Sequence, residues 1–226
     1  KSESFSKIKQ LQTIWGEKLN SIKDVSKVFL SYINGQINKI PWCEENELKP
    51  ETNYIQDLLI QFNKNDLLTI NSQPAVNGKT SNDPDLGWGP SNGYIYQRMY
   101  IEFFIERSNL ERLCKMADKY PSIMYQAVNR AGDNIQKINQ PQVIGLTWGV
   151  FPDKEIVQPT IYDSEVFNIW KDEAFDLWNE WIKIYEDEES RKVLEVIQNE
   201  WYLMTLIDND YICLQLDKLM NEYFSN

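Results

Sequence analysis

Hydrophobic positions along this chain change period several times, and each change marks an element. Phe5, Ile8, Leu11, Ile14 and Trp15 recur at helical spacing over residues 4–15. A second helix is expected from Ser21, where Ser21 and Asp24 offer a capping box, and Gly35 should end it. After Ile40-Pro-Trp42 and an acidic connection, Pro50 suits a first helical turn, because its missing N–H would have no partner there anyway. That helix would bury Ile55, Leu58, Leu59 and Phe62.

From residue 67 the period shortens. Leu67-Leu-Thr-Ile70 predicts a strand, and a long segment rich in Gly, Pro, Asn and Ser follows until β-favouring residues resume at Tyr94. Such a segment is either a binding loop or a rigid surface connection pinned by Pro74, Pro84 and Pro90, and composition leaves the two level. Residues 94–104 alternate as one strand, and Ser108 with Glu111 offers a capping box for a helix carrying Leu110, Leu113, Cys114 and Ala117. Strands are expected over 123–129, 143–150 and 154–161, with turn chemistry at Arg130-Ala-Gly-Asp-Asn134 and at Phe151-Pro-Asp153. Residues 163–188 read as one long helix whose broad face holds Phe167, Trp170, Ala174, Leu177, Trp178, Trp181, Ile182 and Tyr185, with Asp187-Glu-Glu189 as its solvated end. A helix over 190–199, a strand over 201–207 and a helix over 211–224 complete the chain. No βαβ unit repeats, and short connections suit antiparallel neighbours, so the fold class is α+β, a single mixed domain.

Composition narrows the partners. The 226 residues are 42% hydrophobic and 13% aromatic, enough for a sizeable core. A net charge of -11, from 34 acidic and 23 basic residues, argues against nucleic acid or an anionic membrane. No run is long enough to span a bilayer and no signal pattern opens the chain, so a cytoplasmic protein is expected. Cys43, Cys114 and Cys213 are scattered and odd in number, which predicts neither a disulfide framework nor a metal site. Lys1 in place of methionine makes a fragment of a longer protein the expectation.

Without histidine, Ser-His-Asp and Cys-His catalysis are impossible. A carboxylate pair remains open, with the tryptophan-rich helix as a sugar platform, but no spacing nominates a pair and aromatics at helical spacing are more often core. No phosphate loop is present; Gly87-Trp-Gly-Pro90 lacks a following helix start and reads as a tight turn over Trp88. A different constellation is made of hydroxyls: Thr69 and Ser72 leave one strand, Thr147 and Thr160 lie near the ends of two others, and Glu51 and Thr52 open a helix. Brought together they would form a cup with one carboxylate, suited to a zwitterionic or cationic small molecule. Taken alone, threonine is equally explained by its strand preference, and Glu51 by the helix dipole.

Several motifs carry a resemblance. Thr69-Ile-Asn-Ser-Gln-Pro74, Gly87-Trp-Gly-Pro90, Thr147-Trp-Gly-Val-Phe-Pro152, Gln158-Pro-Thr160 and Trp170-Lys-Asp-Glu-Ala174 closely resemble the C-terminal regulatory domain of eukaryotic methylenetetrahydrofolate reductase, from about Trp15 to about Asp210. The resemblance implies one regulatory domain over residues 1–226, with β-sheets side by side flanked by helices, and 1–14 as the remainder of an upstream linker that also contributes to the pocket. It implies S-adenosylmethionine as effector, with Glu51, Thr52, Thr69, Ser72, Thr147 and Thr160 matching the family's contacts. The carboxylate would receive the methionyl ammonium, and hydroxyls the ligand's carboxylate and ribose.

The resemblance further implies feedback inhibition of the reduction of methylenetetrahydrofolate to methyltetrahydrofolate, with S-adenosylhomocysteine competing without inhibiting. FAD and NADPH would belong to a catalytic barrel outside these residues, leaving no catalytic residue, metal or cofactor here. A homodimer and contact with the chain's own catalytic domain are also implied; the alternative is a dimerisation domain that has lost the ligand.

Overall fold

The computed structural model describes residues 16–37, 48–137, 143–212 and 214–225. The helix expected over 4–15 and the acidic connection after Trp42 lie outside the described residues. In chain order the elements are α1 (Ile22–Ile33), a 3-10 turn (Pro50–Tyr54), α2 (Gln56–Lys64), β1 (Leu68–Gln73), β2 (Val76–Thr80), β3 (Tyr94–Gln97) and β4 (Tyr100–Ile105). They continue with α3 (Arg107–Ala117), β5 (Ile123–Asn129), β6 (Asn134–Lys137), β7 (Ile144–Val150), β8 (Ile156–Tyr162), α4 (Ser164–Ile182), α5 (Glu188–Glu200), β9 (Tyr202–Asp208) and α6 (Gln215–Ser225).

Two antiparallel sheets lie side by side, one of five strands in the order β1-β4-β9-β5-β6 and one of four in the order β2-β3-β7-β8. The expected α+β class is the one observed. The central strands β4 and β9 are buried at every position, so they read as apolar runs and not as alternation. Both faces of their sheet are covered. Ile101, Phe103, Met204 and Leu206 pack beneath α2, α3 and α6 with Phe62, Leu113 and Leu219. On the other face Phe104 and Leu203 meet Phe29 of α1, Trp178 and Trp181 of α4, and Leu194 of α5.

The single strand expected over 94–104 is two. The chain leaves the four-stranded sheet after Gln97 and enters the five-stranded one at Tyr100, and Arg98 secures the crossing. Its N–H donates to Leu146 O at 2.8 Å, its guanidinium Nη1 to Gly145 O at 2.6 Å and its Nε to Asn209 O at 3.1 Å. The guanidinium also sits 4.9 Å from the Trp148 ring. The alternation of β3 runs directly into the apolar run of β4 with no Gly, Pro or Asn between them, so the sequence pattern does not mark the crossing.

The long polar segment is also shorter than expected, because β2 occupies Val76–Thr80 and pairs with β3. A bulge between Asn77 and Lys79, with Gly78 at φ +69, hides that strand from a period-two reading. The expected helix at Pro50 begins instead as a 3-10 turn before α2.

Caps account for two further differences. Asp187 does not end a helix; it starts α5, its carboxylate accepting from the Ser190 N–H at 2.8 Å. The acids at 187–189 therefore lie at the favourable end of the helix dipole. Buried Ile184 and Tyr185 turn the chain between α4 and α5, and the Trp178 indole donates to Leu194 O at 2.9 Å across the pair. The helix α3 starts one residue before the expected cap, with Glu106 as N-cap and the Ser108 hydroxyl donating to the Glu106 carboxylate.

Candidate functional site

Strand register brings together residues far apart in sequence. Gln97 of β3 stands opposite Thr147 of β7, and Thr147 stands opposite Thr160 of β8. These three positions form one polar row across the four-stranded sheet and line a cavity of about 600 Å³, a size that suits a small molecule. Its other walls are the Lys49–Glu51 end of the 3-10 turn, Gln73 at the end of β1, Val157, and the loop from Pro84 to Trp88.

The polar groups are held by specific bonds. Gln97 is 1% exposed; its amide donates to Pro74 O at 3.2 Å, and its carbonyl oxygen accepts from the Trp88 indole at 3.0 Å. Gln73 donates to Arg98 O at 2.8 Å and to Leu146 O at 3.2 Å, bridging the two sheets at the cavity wall. The loop bearing Trp88 is shaped by glycine: Gly87 and Gly89 have φ of +66 and +113. Leu86 is buried with Val76 and Ile95, and Trp88 packs against that cluster, so the loop wall is anchored from below. The expected tight turn at 87–90 is instead an irregular bend flanked by turns at 84–86 and 91–92, and its Trp88 lines the cavity.

Glu51 supplies the carboxylate. Burial raises its pKa above the usual carboxylate value, opposed by the Gln97 side chain and the Lys49 charge. A cation entering the cavity would relieve this desolvated charge, and the neutral Gln and Thr side chains can both donate and accept.

The family model described as "MTHFR, SAM-binding regulatory domain" matches residues 1–225. The chain belongs to that family. It is 43% identical over 206 residues to a probable methylenetetrahydrofolate reductase (NADH) of Oryza sativa, covering 90% of this chain and 35% of the relative. It is 41% identical over 204 residues to methylenetetrahydrofolate reductase 1 of Schizosaccharomyces pombe, covering 90% and 34%. It is 37% identical over 212 residues to a probable methylenetetrahydrofolate reductase (NADPH) of Caenorhabditis elegans, covering 88% and 32%. The chain thus spans about a third of the length of these relatives.

Of the six residues expected from the sequence as effector contacts, Glu51, Thr147 and Thr160 line this one cavity. The other three do not line it. Thr52 follows Glu51 in the turn, its N–H donating to Lys49 O at 2.9 Å. Thr69, 8% exposed in β1, accepts at Oγ1 from the Asn63 amide at 2.8 Å. Half-buried Ser72 precedes the cavity-lining Gln73. Gln73, Gln97 and Trp88 were missed as site residues; the motifs containing Gln73 and Trp88 were visible, whereas nothing local singles out Gln97.

The sugar-platform reading required Trp178 and Trp181 to be exposed; they are 1% and 0% exposed, and that reading loses its basis. Among the described residues no helix is long and apolar enough to cross a membrane.

Proposed function

We propose that this chain is the allosteric domain of a methylenetetrahydrofolate reductase and binds S-adenosylmethionine in the cavity between Glu51, Thr147 and Thr160, with Thr52, Thr69 and Ser72 completing the contacts. One observation carries the reading: the polar row Gln97, Thr147 and Thr160 faces the same cavity as the half-buried Glu51 carboxylate. The carboxylate is suited to the ligand's ammonium or sulfonium charge, and the amides and hydroxyls to its carboxylate and ribose. S-adenosylhomocysteine, lacking the sulfonium, would compete without driving the change.

Binding lowers the rate at which a separate FAD-containing catalytic domain reduces methylenetetrahydrofolate to methyltetrahydrofolate, provided the effector prefers the inactive arrangement. Relatives named for NADH and for NADPH both match, so the reductant, expected as NADPH, is not assigned. The whole of residues 1–226 is read as this regulatory unit, acting in the cytoplasm as a homodimer.

Calorimetric titration with S-adenosylmethionine tests the reading. Saturable binding to the wild type, lost in Glu51→Ala and weakened in Thr160→Val, supports it. No binding, even with the upstream linker of a full-length relative restored, leaves the structural dimerisation domain.

A further inference from the structure

The 3-10 turn that carries Glu51 has no buried side chain of its own. Glu51 must nevertheless be kept in a partly desolvated cavity against the tendency of its charge to return to water. What opposes that tendency lies on the turn's outer side. Tyr54, 44% exposed, has the Lys79 ammonium of β2 over its ring, 3.9 Å from the centroid. Lys79 also donates to the Tyr54 hydroxyl and lies 3.5 Å from the Asp83 carboxylate. The same hydroxyl donates to Asp85 at 3.2 Å.

Asp85 belongs to the opposite wall of the cavity, next to Leu86. That wall is fixed: Leu86 is 8% exposed, and the Asp85 N–H donates to the Asp83 side chain at 3.0 Å. Tyr54 is not itself in the Glu51 cavity. It lines a neighbouring one of about 770 Å³ on the far side of the turn. The contacts therefore join the turn that carries Glu51 to the anchored wall, with Tyr54 and Lys79 outside the cavity and Asp85 at its lining.

We propose that Tyr54, Lys79 and Asp85 form a clasp that positions Glu51 and sets how long a small cationic ligand stays in the cavity. This rests on the S-adenosylmethionine reading for the ligand, while the clasp itself is a property of the unliganded fold. Without the Tyr54 contacts Glu51 holds a bound cation less firmly, so their loss speeds release more than it changes entry. Tyr54 is a positioning residue: it lies outside the Glu51 cavity and acts on a ligand through Glu51 and Asp85. The ring meets only the Lys79 cation, whereas the hydroxyl accepts from Lys79 and donates to Asp85, so Tyr54→Phe keeps the ring contact and removes both hydroxyl bonds.

Two measurements on Tyr54→Phe, Tyr54→Ala and Lys79→Met test the clasp. The first is hydrogen exchange of the unliganded protein at Thr52 and Ile55, whose N–H groups close the turn onto Lys49 O and Thr52 O. Exchange at both should rise about two- to tenfold in Tyr54→Phe and more in Tyr54→Ala. The second is stopped-flow kinetics with S-adenosylmethionine, where the dissociation rate should rise by a similar factor while the association rate stays within about twofold. Unchanged exchange in all three variants overturns the clasp. Wild-type protein that binds no S-adenosylmethionine overturns the ligand reading instead, and the exchange result still decides the clasp. A role in stability alone is excluded if amides in β4 and β9 keep wild-type protection; if they lose it equally, the clasp is overturned.

Discussion

Glu102 of β4 faces Thr205 of β9 in direct register, and both are buried, at 2% and 1% exposure. Neither Glu102 Oε2 nor Thr205 Oγ1 has a hydrogen-bond partner among the described residues. Asn71, Glu102, Thr205 and Gln126 occupy successive register positions across β1, β4, β9 and β5, so a polar row runs through an otherwise apolar sheet. Desolvation first, and the Glu173 charge second, push the Glu102 carboxyl up to about 8.

The pH dependence of stability follows from that shift. The native state holds a proton that the unfolded chain releases near 4.5. The stabilisation is complete below that value, falls as pH rises and is gone above about 8. The slope is at most ~1.4 kcal/mol per pH unit across the window. Urea unfolding at a series of pH values should show it, and Glu102→Gln should flatten it.

Ligand affinity should respond in the opposite sense through Glu51. A cationic ligand favours the ionised carboxylate, so affinity falls as acid protonates Glu51. Because burial raises the Glu51 pKa, the fall begins at higher pH than for an ordinary carboxylate. Titrations with S-adenosylmethionine across mildly acidic pH should record this decline. Glu51→Gln should bind more weakly and show little of it.

Replacing Trp178 with alanine should destabilise the protein by about 3–5 kcal/mol, the range for an emptied aromatic site. The side chain is 1% exposed, packs 4.8 Å from the Phe104 ring and 5.0 Å from the Trp181 ring, and donates to Leu194 O. Chemical denaturation measures the loss, and a decrease below about 1 kcal/mol would contradict this packing.

Two neighbouring glycines should behave differently. A Cβ at Gly89 would lie 2.7 Å from Ser81 Cβ and 2.8 Å from Ile95 Cγ1, at φ +113. A Cβ at Gly87 would meet nothing within 4 Å, at φ +66. Gly87→Ala should therefore cost about 1 kcal/mol from backbone strain alone, and Gly89→Ala clearly more. Thermal unfolding ranks the two, and Gly89→Ala should also weaken ligand binding by displacing the Trp88 indole from Gln97.

How much was legible can be followed residue by residue. Of the expected stripe, Ile55, Leu59 and Phe62 are buried and Leu58 is half-buried against them; the strand Ile123–Asn129 and the burial of Trp178 and Trp181 likewise follow from local period and side-chain type. Asp187 was misread because a capping aspartate and a solvated helix end have the same composition; only the Ser190 N–H pointing at its carboxylate separates them.

The family was legible because its motifs are contiguous in sequence, and Thr147 and Thr160 could be named from them, whereas Glu51 lies outside every one of them. That these three share a cavity with Gln97 could not be read, since it depends on which strands pair and in what register. The same holds for the split between β3 and β4: a β-favouring stretch from 94 to 104 with no turn residue in it is compatible with one sheet or two, and long-range partners decide. By itself the sequence determined most helices, the strand β5, the apolar faces and the family, because these are set within a few residues of each position. Tertiary structure alone decided the walls of the cavity, the Tyr54 clasp and the buried proton on Glu102, because each needs groups that approach only when distant segments are packed together.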